Sequence, residues 1–282
     1  GAPIDTTIMQ FVYNKKILNS LGHADPPKTF DQFMEYAKEA KTKLNTIGFI
    51  SGWGEGWLLN ALATEWAINL MGEDKFLRTI KGEISYTDPD WLKVFNLFAI
   101  LKDAGILAPN IATMTNKEAE DAFARGKALF SFNGSWSVNV YDQLNPQLEY
   151  AFFSLPRVSD IYPVKIWGGA GASFMVNANS TDKEQAVDFL KWLTEKEQQV
   201  FLIKETSNLS SIMGNEDVLA PILKDLIPNL DNLTHPDTWP QNEDSRVIET
   251  LNKGLQQIVN GLKTPEEVAR EIQQKKEKVS KK

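Results

Sequence analysis

Of the eight tryptophans in this chain, five stand in loops or where a helix begins: Trp53, Trp57, Trp136, Trp167 and Trp239. The other three, Trp66, Trp91 and Trp192, fall at core spacing in amphipathic stretches. An indole outside a core stripe is a rigid apolar platform that loses little entropy on binding. Such platforms suit a ligand with flat C–H faces and a hydroxyl rim, the surface a sugar presents, with nearby polar groups reading the hydroxyls. Glu55, two residues before Trp57, could accept hydrogen bonds from such hydroxyls, although a loop carboxylate facing water has the same local pattern. Trp53 and Trp167 are expected to line an edge.

The elements that must hold Trp136 are compressed into residues 115–136. Thr115 and Glu118 form a capping box, each satisfying an orphan donor at a helix start. The helix is predicted to run to Arg125, with Gly126 at the left-handed position that follows. Residues 127–132 read as a short apolar strand, Asn133-Gly134 as a sharp turn, and Ser135 as the cap of the next helix. Trp136 then stands in that helix's first turn, past the strand's C-terminal end, where open α/β sheets bind ligands. Locally, a tryptophan that plugs the end of a core fits the same pattern equally well.

Catalytic readings find little support. His23 lies in a proline-flanked loop and His235 precedes a proline, without metal-ligand spacing. Gly168-Gly-Ala-Gly lacks the Lys-Ser/Thr pair that grips phosphate and metal. Glu83 and Asp88 could mimic a glycosidase pair, yet with 37 acidic residues coincidental pairs are expected. No metal or cofactor is therefore expected. The net charge of −7, with dispersed Lys and Arg, disfavours nucleic acid. There is no cysteine, which excludes disulfides and thiolate chemistry. No apolar run approaches the roughly 20 residues that span a bilayer.

Along the 282 residues, strands are predicted at 8–13, 47–51, 127–132, 149–155 and 172–177. Between them come helices at 14–21, 29–44, 58–71, 88–105 and 116–125. In the helix at 58–71, Leu59, Leu62, Trp66 and Leu70 share one face. Further helices follow at 182–194 (capped by Thr181 and Glu184), to about 204, at 245–260 and from 264. The basic stretch 275–282 reads as a frayed, solvated helix end. Alternating strands and helices argue for α/β layers.

Several blocks, taken together, carry a resemblance. Residues 123–136 (FARGKALFSFNGSW), 11–18 (FVYNKKIL) with 26–33 (PPKTFDQF), 168–176 (GGAGASFMV), 184–194 (EQAVDFLKWLT) and 261–268 (GLKTPEEV) resemble, in order and spacing, segments of the family 1 extracellular solute-binding proteins. These are the sugar-binding receptors of ABC-type importers. The resemblance implies an α/β, periplasmic-binding-protein-like fold of type II, mostly the C-terminal lobe with a remnant of the N-terminal lobe. Residues 1–167 and 208–282 would form the larger lobe and 168–207 the remnant. It implies a cleft holding Trp136 and the Trp57 region, with Trp239 where the family presents another aromatic. Thr7 falls where relatives can carry a ligand-contacting polar residue; with Asp5 beside it at a crossover, a hinge role fits it equally.

The implied activity is capture of a solute, an oligosaccharide above all, for ABC-type permease subunits. The implied location is extracellular: periplasmic or on a lipid-anchored cell-surface protein. A glycan-binding or glycoside-hydrolysing protein without a transporter, and uptake of a cationic solute, are the alternatives. The start at Gly1 resembles the point where the family first crosses between lobes, so an N-terminal segment is expected to be absent. The apolar face of the remnant (Phe174, Val176, Ala186, Phe189, Leu190, Leu193) should then lie exposed and favour self-association or poor order. This chain by itself is expected to bind sugar very weakly or not at all.

Overall fold

The computed structural model describes residues 1–235, 238 and 242–280. Eight strands are present among them: β1 (Ala2–Pro3), β2 (Asp5–Asn14), β3 (Ile47–Ile50), β4 (Ala128–Gly134), β5 (Tyr150–Phe153), β6 (Gly168–Ala170), β7 (Ser173–Phe174) and β8 (Leu209–Ser210). The main sheet runs β3-β4-β2-β5, with β2 antiparallel to both neighbours and β3 parallel to β4. The ten residues of β2 serve two sets of partners. Its second half pairs with β4 and β5, and its first half with β6 and β8. β1 pairs with β7.

A phenylalanine cluster closes one face of the sheet. The Phe11 ring centroid lies 5.3–5.7 Å from those of Phe33, Phe49, Phe132 and Phe153. Phe33 meets Phe11 edge-on, Phe132 and Phe153 are tilted against it and Phe49 is stacked, arrangements that aromatic quadrupoles favour.

The helices are α1 (Lys15–Ser20), α2 (Phe30–Leu44), α3 (Gly56–Met71), α4 (Glu73–Ile80), α5 (Pro89–Asp103), α6 (Asn116–Ala124), α7 (Ser137–Leu144), α8 (Lys183–Leu193), α9 (Lys196–Thr206), α10 (Pro221–Lys224), α11 (Ser245–Val259) and α12 (Pro265–Ser280). The capping box of Thr115 and Glu118 forms as the spacing predicts, and Gly126 has φ +72°. Asp88 caps α5 with Pro89 in its first turn. Helix α4, unassigned in the sequence pattern, tucks Phe76 and Ile80 into the core. Helix α3 is buried nearly all round rather than on one stripe, because α5 and α11 pack beside it.

Several sequence expectations are corrected. Strand β4 continues through Asn133 and Gly134, which pair with Gln10 and Met9 instead of turning. Ser135 does not cap α7: its N–H donates to the Ile8 carbonyl and its Oγ lies 3.4 Å from the Ile8 nitrogen, so it prolongs the ladder. The strand expected at 172–177 reduces to Ser173–Phe174. No side chain caps α8. Trp53 lies wholly within the core, its ring 5.6 Å from Phe49 and 5.8 Å from Phe98. Trp192 is 46% exposed, since no element covers its side of α8. The C-terminal stretch does not fray at Lys275: α12 reaches Ser280, and Lys276 pairs with the buried Glu243 at 2.7 Å.

The segment 168–207 contrasts with the rest. Not one residue of α8 is buried, and α9 buries only Gln199 and Ile203. Phe174, Phe189 and Phe201 are about half exposed or more, at 47%, 51% and 60%.

Candidate functional site

Trp57 and Trp136 meet at the C-terminal end of β4. Helix α3 begins at Gly56, which puts Trp57 in its first turn, 37% exposed to solvent. The Trp57 Nε1–H donates to Glu55 Oε2 (3.2 Å), and Glu55 Oε1 accepts from the Asn116 N–H (2.8 Å), one of the orphan donors at the start of α6. The Glu55 carboxylate thus stands behind Trp57, bracing it to α6.

Trp136 precedes α7 and folds its ring back over Gly134. A Cβ at Gly134 would lie 2.0 Å from Trp136 Cζ3, so only glycine lets the indole lie flat there. The two indole centroids are 5.7 Å apart with planes at 51°, forming an open aromatic corner. Beneath Trp136 the buried Glu120 accepts from Asn116 Nδ2 (2.9 Å) and Asn133 Nδ2 (3.0 Å). Burial pushes the Glu120 carboxyl above the usual carboxylate range; the Asn133, Asn116 and Trp136 side chains oppose the shift.

The corner opens into a cleft of about 420 Å³ lined by Thr7, Trp57, Trp136, Trp167, Gly168, Gly169, Ala170, Gly171, Thr234, His235 and Thr238. No Asp, Glu, Lys or Arg is among these lining residues. Trp167 is set by its backbone. Its carbonyl accepts from the Met9 N–H (2.8 Å), and its N–H donates to Glu65 Oε1 (2.8 Å). Glu65 is buried within α3, and that burial drives its pKa well above 4.5, with the Trp167 hydrogen bond a lesser opposing effect. Thr234 arrives because 232–234 runs beside 164–166: the Ile166 N–H donates to the Asn232 carbonyl and the Thr234 N–H to the Ile166 carbonyl.

Of the residues singled out in the sequence, Thr7, Trp57 and Trp136 therefore share one cleft, while Glu55 stands behind it. Trp239 lies outside the described residues. Trp167, singled out among the loop tryptophans but expected only to line an edge, lines the cleft itself; the glycine-rich wall, Thr234 and Thr238 join it without a local sequence signal, and only the run Gly-Gly-Ala-Gly hinted at close backbone approach. A second groove, about 440 Å³, lies between α11 and α12. Its wall carries ion pairs such as Lys253–Glu249 and Lys263–Glu271, and it lacks an aromatic surface. Among the described residues no cluster of three or more His, Asp or Glu could hold a metal. No described helix is long and apolar enough to cross a membrane.

Comparison with known proteins gives a consistent result. The family model described as bacterial extracellular solute-binding protein matches residues 2–200. The multiple sugar-binding protein of Streptococcus mutans is 27% identical over 199 residues, covering 69% of this chain and 47% of that protein. The chain spans about half the length of the first curated relatives it matches. Among solved structures, a chitin oligosaccharide binding protein superposes with a TM-score of 0.86 at 26% identity, covering 99% of this chain and 70% of that one. The maltose-bound T. maritima MalE3 superposes at 0.83 with 18% identity, covering 99% and 72%. These likenesses show an α/β fold of the type II periplasmic-binding-protein kind.

Proposed function

The chain belongs to the bacterial extracellular solute-binding protein family, and from that premise we propose that it captures an uncharged oligosaccharide and delivers it, unaltered, to an ABC-type importer. The observation that carries this reading is the aromatic corner. Two indoles 5.7 Å apart, tilted by 51°, offer two apolar faces to a bent chain of pyranose rings. Thr7, Thr234, Thr238 and the backbone of 168–171 supply uncharged hydrogen-bonding groups around it. Among the described residues, a cleft lining without a carboxylate, ammonium or guanidinium side chain favours a neutral ligand over a sugar acid or a cation.

In this reading Trp57, Trp136 and Thr7 contact the ligand, with Trp167 beside them. Trp239 contributes from the segment that also carries Thr238, and Glu55 acts by bracing Trp57. Residues 1–167 and 208–282 form the larger lobe and 168–207 a remnant of the other. The apolar face that the remnant leaves in solvent, including Phe189 and Trp192, supports self-association. Similar structures include a chitin oligosaccharide binding protein, a maltose-bound MalE3 and a sugar transporter in complex with stachyose, which makes chito-, malto- and galacto-oligosaccharides the first probes.

Calorimetric titration of the full-length protein with that panel tests the proposal, followed by chromatography of the recovered sugar. Binding with the sugar returned intact is expected. Binding of none of the panel, or shortened products, would overturn it.

A further inference from the structure

One carboxylate outside the cleft joins three distant stretches of chain. Asp5 opens β2 where that strand meets β6 and β8. Its Oδ1 accepts from the Ala172 N–H at 2.7 Å and its Oδ2 from Asn208 Nδ2 at 2.8 Å. Its own carbonyl accepts from the Gly171 N–H at 3.0 Å. Neighbours repeat the stitch: the Ile4 N–H donates to the Ala172 carbonyl (2.8 Å) and Thr6 Oγ1 to the Ser210 carbonyl (3.0 Å). Strand β6 ends at Ala170, so ladder pairing stops just short of Gly171 and Ala172. The carboxylate and the residue 5 carbonyl take over there.

Gly171 also lines the cleft. A Cβ on it would fall 2.1 Å from Asp5 Oδ1 and 2.6 Å from Thr7 Oγ1. The cleft wall therefore lies directly against both the Asp5 carboxylate and the Thr7 hydroxyl at Gly171. Charge-assisted hydrogen bonds of this length are the stronger kind; the one to Asn208 is part-buried and the one to Ala172 faces solvent.

We propose that Asp5 is a positioning residue for the ligand cleft: its carboxylate holds the 168–171 wall against Thr7 and ties that wall to the β8 crossing, so it acts on the ligand through the wall. The ligand half of this statement rests on the saccharide reading; the structural half does not.

The experiment uses Asp5→Ala, Asp5→Asn and the double exchange Asp5→Asn with Asn208→Asp, in the full-length protein. In the double exchange the new amide still accepts from the Ala172 N–H and donates to the new carboxylate at position 208. Two measurements are made: amide hydrogen exchange without ligand, and calorimetric titration with the member of the chito-, malto- and galacto-oligosaccharide panel that binds wild type best. Asp5→Ala should speed exchange at Gly171 and Ala172 at least about tenfold while Phe11 and Val12, in the same strand, stay protected. Saccharide affinity should fall by about tenfold. Asp5→Asn should fall between, and the double exchange should restore both. Unchanged exchange at Ala172 in Asp5→Ala, or faster exchange throughout β2 that the double exchange fails to rescue, would overturn the proposal. A wild type that binds no saccharide would sink the saccharide reading, while the exchange data would still decide the role of Asp5.

Discussion

If Trp136 is a sugar platform rather than a core plug, it can be disabled in two ways, by deletion and by displacement. Trp136→Ala deletes it. Gly134→Ala displaces it, because the new methyl would sit 2.0 Å from Cζ3 and 2.1 Å from Cη2 of an indole that otherwise lies flat on the glycine. Gly134 lies in strand β4, whose extended backbone alanine accepts, so the local conflict is with the ring. The magnitude follows from area. A pyranose face removes ~100 Å² of apolar surface from water, worth about 2.5 kcal/mol at ~25 cal/mol per Å². Both variants should then lose roughly 50- to 100-fold in affinity.

Trp136 also packs its inner face on the core, so Trp136→Ala will lower the melting temperature as well. Gly134→Ala, which keeps every indole atom, separates the two effects. Calorimetric titration with the best-binding oligosaccharide of the panel, alongside thermal unfolding, is the assay. Affinity within about twofold of wild type in both variants, with a clear fall in melting temperature, would refute the platform and leave Trp136 as a plug.

Glu65→Gln keeps an oxygen for the Trp167 N–H but removes the titration. Since the folded pKa lies well above the unfolded value near 4.5, wild-type stability is whole below 4.5 and is lost as pH rises toward the folded value. The gap between variant and wild type should widen by up to about 1.4 kcal/mol per pH unit over that window, and denaturant curves of equal spacing at every pH would contradict it. Lys276→Met should cost about 3–5 kcal/mol in denaturant unfolding by removing the cation from Glu243, whose other donors among the described residues are the Tyr86 hydroxyl and the Asp244 N–H; a loss under about 1 kcal/mol would show the pair to be dispensable. For the exposed face of α8, the double change Phe189→Glu with Trp192→Glu should abolish concentration-dependent association in sedimentation velocity, and an unchanged mass distribution would place any association elsewhere.

Local rules were enough for features whose partners are close in sequence. The Thr115–Glu118 box, the Asp88-Pro89 helix start and the left-handed Gly126 each involve groups within a few residues, where spacing alone dictates geometry. The periodicity of α8 was equally readable: Phe189 and Trp192 do share a face. What periodicity cannot say is whether anything covers that face, and here Trp192 stays in solvent. Trp53 and Trp57 make the same point, four residues apart in one glycine-rich stretch. One is sealed between Phe49 and Phe98, the other leans on Trp136 at the cleft. Glu55 looked free in sequence, yet the N-terminus of α6, 61 residues on, claims its carboxylate. The cleft itself is built from stretches more than 150 residues apart, with Thr7 facing 168–171 and Thr234, His235 and Thr238 joining Trp167 in the lining. Short-range propensity carries no information about which distant strands will pair. Sheet register and mutual burial decide that, and so the aromatic residues are legible in the chain, whereas their convergence, implied there only by the resemblance, is fixed by the tertiary structure.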